Sequence, residues 1–440
     1  MSLNPVPDKD GTTEHQREQP VATLFRPLMA VFGYTEFDAL VRCARPHPDA
    51  EGQALTGGTD MDWSRFVRLA LRHGITPLVA RNAGAVFGDA LPPDIAQALT
   101  VNQDGTRIRN TNSADELTRI LTALEKSGIP AIPFKGPVLA ATAYSHVSLR
   151  TFRDLDFLIR ETDIPATQTC LAGLGYDTNE NLSPARCRAL FRYNGQTMLS
   201  RPGGEIVIEP HWTLAPAVLA VSFDYAGLWA RARPMPFNGA SILGFAPEDQ
   251  LIVLSVHGSK EGWWRLQWIC DIAWFMDANP ALDWQTTLQR ATDQGCLRMV
   301  LLAVSLANRL LTTPLPPPVA AAQERDVTAQ RLADRIIAKL SLDDEPESPD
   351  GPAPLYRVSS YRLHMRERLR DRAAYVLRTI LMPRGAHLHM IALPDALFAL
   401  YYPVKLIHDY VLLPVWLVMR RIKPTHGQGA AATTRKKSTG

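Results

Sequence analysis

The stretch RTFRDLDFLI, residues Arg150–Ile159, decides the fold because it places two acidic residues in an apolar run. Alternate residues of a strand point to the same side, so Asp154 and Asp156 would present two carboxylates together. Leu155 and Phe157 would face the opposite way, into a core. Two carboxylates on one face repel unless a cation joins them, and Mg²⁺ binds both carboxylates and substrate phosphates. The alternative is that the pair lies on the solvated face of an amphipathic strand.

A second signal lies upstream, where the apolar run Ile129–Phe134 is followed by Lys135, Gly136 and Pro137. This order is typical of a strand that ends and a helix that begins, because proline fits the first helical turn. The free backbone amides of a helix N-terminus can hold phosphate, and glycine lets the backbone approach it closely. Together with the Asp-x-Asp strand, the pattern indicates a nucleoside triphosphate bound on a metal ion.

A third acidic strand is predicted downstream. Two extended runs flank the turn sequence Arg201–Gly204, so they are expected to form a hairpin. Alternation in the second run, Glu205–Glu209, places the two glutamates on one face and the isoleucines on the other. Glu209 would therefore join the two aspartates if this strand lies beside theirs, and Glu205 is the next candidate.

These residues carry a resemblance to the bacterial family of uncharacterised nucleotidyltransferases, within the polymerase-beta-type nucleotidyltransferase superfamily. Such proteins show Lys-Gly after the first strand, Arg four residues before an Asp-x-Asp, and a later acidic strand followed by His-Trp. The corresponding positions of this chain are Lys135, Gly136, Arg150, Asp154, Asp156, Glu209, His211 and Trp212. The resemblance extends over roughly residues 25 to 310, and the chain departs from the usual pattern at Pro137, Glu209 and Pro210.

The resemblance implies an Mg²⁺-dependent nucleotidyltransferase. It would transfer a nucleoside monophosphate from a nucleoside triphosphate to an unidentified acceptor and release pyrophosphate. In this interpretation the catalytic residues, which also hold one or two Mg²⁺ ions, are Asp154, Asp156 and Glu209.

The remaining predicted site residues bind the nucleotide or lie on the acceptor side. Lys135, Gly136 and Arg150 would bind the nucleotide, with Arg150 as a bidentate clamp on a phosphate. The alternative for Arg150 is an ion pair with a local carboxylate. His211 and His257 would lie on the acceptor side, where His211 assists deprotonation, or else they are packed side chains.

Two other functions stay open. One is a non-catalytic binding or scaffold protein on a degenerate nucleotidyltransferase fold, docked on a membrane or a partner. The other is a metal-dependent phosphohydrolase that uses the same carboxylates. Consumption of nucleoside triphosphate and the mass of the product separate the three.

Composition is that of a soluble enzyme of two or three domains, with 440 residues of which 46% are hydrophobic and 21% charged. A net charge of +3 is too small to indicate nucleic-acid binding. The five cysteines are scattered without a Cys-x-x-Cys pair, so neither a disulfide framework nor a zinc site is indicated. The N-terminus carries no apolar signal-peptide stretch. We therefore expect a cytoplasmic protein.

The predicted fold class is α+β, a small mixed nucleotidyltransferase sheet flanked by helices, with helical N-terminal and C-terminal regions. The predicted divisions are a disordered tail (1–22), a helical N-terminal domain (23–127), the nucleotidyltransferase core (128–240), a helical domain (241–320), an acidic linker (321–352), an Arg-rich and amphipathic helical region (353–424) and a disordered tail (425–440).

The C-terminal region raises the question of a membrane. Ile391–Met419 is rich in Leu, Tyr, Val and Trp, but Asp395, Lys405 and Asp409 interrupt it and prolines break it, which makes it a poor transmembrane span. We expect an amphipathic helix, packed on the protein's own core because a long exposed apolar stretch favours aggregation. Peripheral contact with the inner membrane face, helped by the preceding arginines, is the alternative.

Overall fold

The computed structural model describes residues 35–48, 61–177, 184–342 and 358–415, and these residues form many helices and two small sheets. The larger sheet has the strand order β1-β2-β4-β3, and its strands are β1 (Ile132–Pro133), β2 (Asp154–Leu158), β3 (Leu199–Ser200) and β4 (Val207–His211). The central pair β2 and β4 is parallel, whereas β1 and β3 run antiparallel to their neighbours. β5 (Arg233–Phe237) and β6 (Ala240–Gly244) form a separate hairpin. The α+β prediction with a small mixed sheet is confirmed.

The helices fall into three groups along the chain. Before the sheet lie α1 (Thr35–Cys43), α2 (Trp63–His73), α3 (Thr76–Phe87) and α4 (Pro93–Lys126). Between its strands lie α5 (Gly136–Ala143), α6 (Ile164–Gly173) and α7 (Pro184–Asn194). After it follow α8 (Tyr225–Arg231), α9 (Pro247–Lys260), α10 (Leu266–Ala278), α11 (Trp284–Gln294), α12 (Leu297–Leu311), α13 (Pro317–Glu324), α14 (Val327–Leu340), α15 (Ser360–His364), α16 (Leu369–Leu381), α17 (Gly385–Met390) and α18 (Tyr401–Ile407).

Alternation along β2 separates two hydrophobic cores. Leu155 and Phe157 point to the rear face, where they pack with Ile208 and with Leu117 and Ile120 of α4. The residues between them point to the front face, which looks toward the main core formed by the N-terminal helices, α9, α10 and α12. A strand buried on both sides in this way holds its polar residues in fixed positions, because the apolar residues on the rear face fix the register.

The predicted linker at 321–352 is wrong for its first part. α13 and α14 occupy this stretch as far as residue 340, and Leu332, Ile336 and Leu340 are buried in the main core. Prolines are compatible with this helix because Pro317 and Pro318 occupy the first turn of α13. The helical domain therefore continues past residue 320. The acidic part from 343 onward and the two predicted tails lie outside the described residues.

The C-terminal region is helical as predicted, but its expected packing on the core holds only in part. Tyr401 is fully buried, whereas Tyr410 and Val411 are about half exposed. The segment Asp395–Val415 is long enough and apolar enough to cross a membrane, and 17% of its most apolar window is buried. The charged residues of this segment predicted a poor transmembrane span. In the structure the segment is apolar enough to span a membrane, yet it is exposed like a helix on a protein surface.

Substitution of Ile336 by alanine tests whether α14 belongs to the core. Its side chain is 3% exposed, so we expect Ile336→Ala to lower the free energy of unfolding by about 2–5 kcal/mol. Val327→Ala on the same helix is the control, since Val327 is 51% exposed and its loss should change stability by about 0.5 kcal/mol or less. Denaturant unfolding followed by circular dichroism gives both values, and equal small effects would restore the linker interpretation.

Candidate active site

The parallel register of β2 and β4 gathers the predicted carboxylates. Asp156 lies directly opposite Glu209, and Asp154 lies opposite Val207. Residues opposite one another share a face of the sheet, so Asp154, Asp156 and Glu209 lie together on the front face. Glu205, the alternative third carboxylate, is exposed and precedes β4. The structure therefore brings together the three residues that the sequence singled out.

Asp156 is the most enclosed of the three carboxylates, with 2% of the residue exposed. Its Oδ1 accepts hydrogen bonds from Lys135 Nζ and His211 Nε2, each at 2.9 Å. Burial alone would raise its pKa, but Lys135 and His211 outweigh burial and hold the pKa of Asp156 well below its ordinary value. Its Oδ2 is buried and has no hydrogen-bond partner among the described residues. A buried, ionised oxygen without a donor is costly, and a metal ion would satisfy it.

Asp154 and Glu209 are the two carboxylates of the cluster whose pKa values are raised. Burial and then the charge of Asp156 raise the pKa of Asp154. Burial, Asp156 and Asp154 together raise the pKa of Glu209 to about 7. Gln196 Nε2 donates a hydrogen bond to Glu209 Oε2 at 2.5 Å and so fixes this carboxylate in place. The face holds more negative charge than its neighbouring cations neutralise, which is the electrostatic condition that favours a bound divalent cation.

Lys135 and Gly136 lie where α5 begins beside β2. Lys135 is buried, and although burial lowers its pKa, the charges of Asp156, Asp154 and Glu209 outweigh burial and raise it. Gly136 has a φ of +54°, and a Cβ there would lie 3.2 Å from the backbone oxygen of Asp154. Only glycine fits this close approach without strain. Pro137 in the first turn of α5 removes one N–H from the helix start.

Arg150 is held in a buried ion pair, and its role as a phosphate clamp stays a prediction. Its Nε and Nη2 donate to Asp271 Oδ1 and Oδ2 at 2.7 and 2.9 Å, and both side chains are buried. Tyr144 adds a third hydrogen bond, from its hydroxyl to Asp271 Oδ1 at 2.7 Å. The structure thus shows the ion pair that the sequence left open as the alternative for Arg150. The partner carboxylate lies on α10, far along the chain, and is not local. The bidentate fork ties the segment before β2 to the helical domain.

The two histidines predicted on the acceptor side differ in position. His211 lies inside the carboxylate cluster, since its Nε2 is 3.7 Å from Glu209 Oε2 as well as 2.9 Å from Asp156. His257 on α9 instead packs edge-on against Trp268. Burial lowers the pKa of His211 although Asp156 opposes it. Burial and then the charges of Lys135 and Lys260 lower the pKa of His257. Both imidazoles are therefore neutral near pH 7.

Three of these side chains have the geometry of a metal-binding group. One ligand atom each of Asp156, Glu209 and His211 lies within 4.8 Å of the other two. The sequence did not single out Gln196, which forms a bridge opposite His211, or Lys260, whose charge acts on Glu209 and His211. Gln196 directly precedes the predicted hairpin, which is a local signal for it. Lys260 comes from α9, and no local pattern indicates its proximity.

Comparison with known proteins places this site inside a family match. A family model described as "Uncharacterised nucleotidyltransferase" matches residues 59–312, more than half of the chain, beginning later than the predicted resemblance. No curated protein matches. Among solved structures, the solution structure of the antibiotic-resistance factor ANT(2'')-Ia is similar over 50% of this chain and 97% of that chain, with 13% identity and a TM-score of 0.26. A likeness at this TM-score supports no inference about this chain.

Replacement of Asp271 tests whether the Arg150 fork is structural. Asp271→Asn leaves a buried guanidinium without its counter-charge, so we expect the free energy of unfolding to fall by about 3–5 kcal/mol. Asp277→Asn on the same helix is the control, because Asp277 pairs with His47 at the surface and should matter little. Denaturant unfolding compares the two variants. Equal, small losses would mean that Arg150 does not depend on Asp271 and is free to bind a phosphate.

Proposed function

The chain belongs to the family of uncharacterised nucleotidyltransferases, and from this premise we propose that it transfers a nucleoside monophosphate from a nucleoside triphosphate to an acceptor, releasing pyrophosphate. The observation that carries the proposal is the front face of the sheet, where Asp154, Asp156 and Glu209 lie together. Lys135 and the glycine-led start of α5 border this face, as a triphosphate site requires. We further propose that the fold is of the polymerase-beta type.

The residues of the front face fit one or two Mg²⁺ ions. Asp156 Oδ2 is a buried oxygen without a donor among the described residues, and oxygen ligands are those that Mg²⁺ prefers. Burial and then the charges of neighbouring carboxylates raise the pKa values of Asp154 and Glu209, and a bound cation would favour their ionised forms. When bound, Mg²⁺ would neutralise the triphosphate and stabilise the leaving pyrophosphate.

The chain's own groups position the reactants and handle the proton. Lys135 balances Asp156 through Oδ1, which leaves Oδ2 for a metal, and its ammonium would move to a phosphate oxygen when a triphosphate binds. Gln196 holds Glu209 in orientation. His211 is neutral and contacts Asp156, so an acceptor hydroxyl would give its proton to an imidazole whose positive charge the aspartate stabilises.

One observation favours a second function. The Lys135 ammonium pairs with Asp156 Oδ1 at 2.9 Å and so neutralises the carboxylate whose other oxygen would bind a metal. In a non-catalytic binding protein this ion pair would replace the metal permanently. Displacement of the lysine by Mn²⁺ and a nucleoside triphosphate distinguishes the two functions.

The absence of disulfides among the five cysteines supports a reducing compartment, and we propose the cytoplasm.

Loss of either aspartate should abolish transfer. We expect Asp154→Asn and Asp156→Asn to lower the rate of labelled product formation by about 100-fold or more, since each removes a charged group that positions the transition state. The assay incubates pure protein with each nucleoside triphosphate, Mg²⁺ and a cell extract, and it follows label in the product. Glu161→Gln, an exposed carboxylate in the turn after β2, is the control and should stay active. Wild-type activity of either aspartate variant would contradict the mechanism.

The third carboxylate should act on chemistry more than on nucleotide binding. We expect Glu209→Gln to lower kcat strongly while the KM for the nucleoside triphosphate changes little. Glu205→Gln provides a matched control four residues earlier, because Glu205 is exposed and lies outside β4. Steady-state kinetics of pyrophosphate release measure both. A loss confined to the Glu205 variant would move the third ligand to that residue.

A further inference from the structure

The helical segment Asp395–Val415 turns its charged side inward. Tyr401, Lys405 and Asp409 are spaced four residues apart and therefore share one side of the helix. Tyr401 and Lys405 are fully buried, and Asp409 is 6% exposed. The usual orientation of a surface helix, with charges toward water and apolar residues toward the core, is reversed here.

A buried ion cluster holds this charged side against the protein. The carboxylate of Asp409 accepts hydrogen bonds from Lys405 Nζ at 2.7 Å, His387 Nε2 at 3.0 Å and Arg384 Nη2 at 3.0 Å. His387 lies on α17 and Arg384 directly precedes it, so the cluster joins the segment to the preceding helix. His408 Nδ1 adds a fourth contact to Asp409, at 2.8 Å, and the ligand atoms of Asp409, His387 and His408 lie close enough together to hold a metal ion. The effect of the cluster is to fix the apolar side of the segment outward.

The outward side is strongly apolar. Only 17% of the most apolar window of this segment is buried. Seven of its large apolar side chains are between 46% and 56% exposed: Leu397, Leu400, Ile407, Tyr410, Val411, Leu412 and Val415. A contiguous exposed apolar surface of this kind marks a docking site, because a partner that covers it removes apolar area from water.

Charge and aromatic content identify the partner as a lipid surface. Beyond Val415 the sequence continues with Trp416 and then with Arg420, Arg421 and Lys423. Apolar residues followed at once by tryptophan and basic residues are typical of helices that lie in the membrane interface and contact anionic headgroups.

We propose that the outward face of Asp395–Val415 docks on an anionic membrane surface, lying flat and not spanning the bilayer. Crossing would require the Lys405–Asp409 pair to leave its buried cluster and enter hydrocarbon, which is expensive. Docking on one side leaves the cluster intact. The segment lies beyond residue 312, where the family match ends, so the proposal is independent of the catalytic chemistry.

Vesicle sedimentation with the full-length protein tests this docking. Vesicles of phosphatidylglycerol and phosphatidylcholine should carry wild-type protein into the pellet, and added salt should reduce the bound fraction. The partition coefficient of the double variant Ile407→Gln with Val411→Gln should fall by a factor of about ten or more. The reason is that two half-exposed aliphatic side chains lose their contact with lipid. The matched control is Val101→Gln with Ile108→Gln, two exposed apolar residues of α4, and it should pellet like wild type.

Several outcomes would overturn the proposal. Wild-type protein that stays in the supernatant, or a double variant that pellets as wild type does, contradicts lipid docking. A wild-type dimer that the double substitution dissociates would show that a second copy covers the face. A melting temperature lowered by the double substitution would show that another part of this chain covers it, since removal of truly exposed side chains leaves stability nearly unchanged.

Discussion

The parallel pairing of β2 with β4 is the constraint on which the site depends. It sets Asp156 against Glu209, two residues that are 53 positions apart in the chain. A slip of one residue would send Glu209 to the rear face and into an apolar core. Leu155 and Ile208, also opposite one another, pack on that rear core and oppose such a slip. Burial of apolar side chains on one face thus determines where the carboxylates lie on the other.

Electrostatic imbalance follows from this arrangement. Three carboxylates share a partly dry face with one buried ammonium, from Lys135, and a neutral His211. Asp156 takes the favourable contacts, and Asp154 and Glu209 are left with raised pKa values. A face of this kind costs stability in the absence of a cation and gains affinity for one, which is how proteins commonly hold catalytic groups. Lys135 then balances the charge while no metal is bound.

The sequence predicts the parts of this structure that depend on local patterns. Alternation along β2 and β4, the hairpin between β3 and β4, and the Lys-Gly start of α5 each follow from residues close together in the chain. The α+β class and the helices that surround the sheet follow from the same patterns. Once β2 and β4 are known to be neighbours, these patterns also place the candidate carboxylates on one face of the sheet.

What the sequence misses are contacts over long separations. Arg150 finds Asp271 across 121 positions, so no local pattern showed that its fork would be occupied. α13 and α14 were assigned to a linker because prolines and acidic residues dominate their surroundings, whereas burial against α12 decides their structure. The exposure of the C-terminal apolar side depends on the Asp409 cluster, which draws residues from two separate helical segments.

The most direct test of the central claim is a crystal of the protein soaked with Mn²⁺ and a non-hydrolysable nucleoside triphosphate, with anomalous diffraction recorded for manganese. We expect an anomalous peak bound by Asp154 and Asp156, with Lys135 Nζ withdrawn from Asp156 Oδ1 and in contact with a phosphate. An empty front face, with the Lys135–Asp156 ion pair unchanged at 2.9 Å, would contradict it.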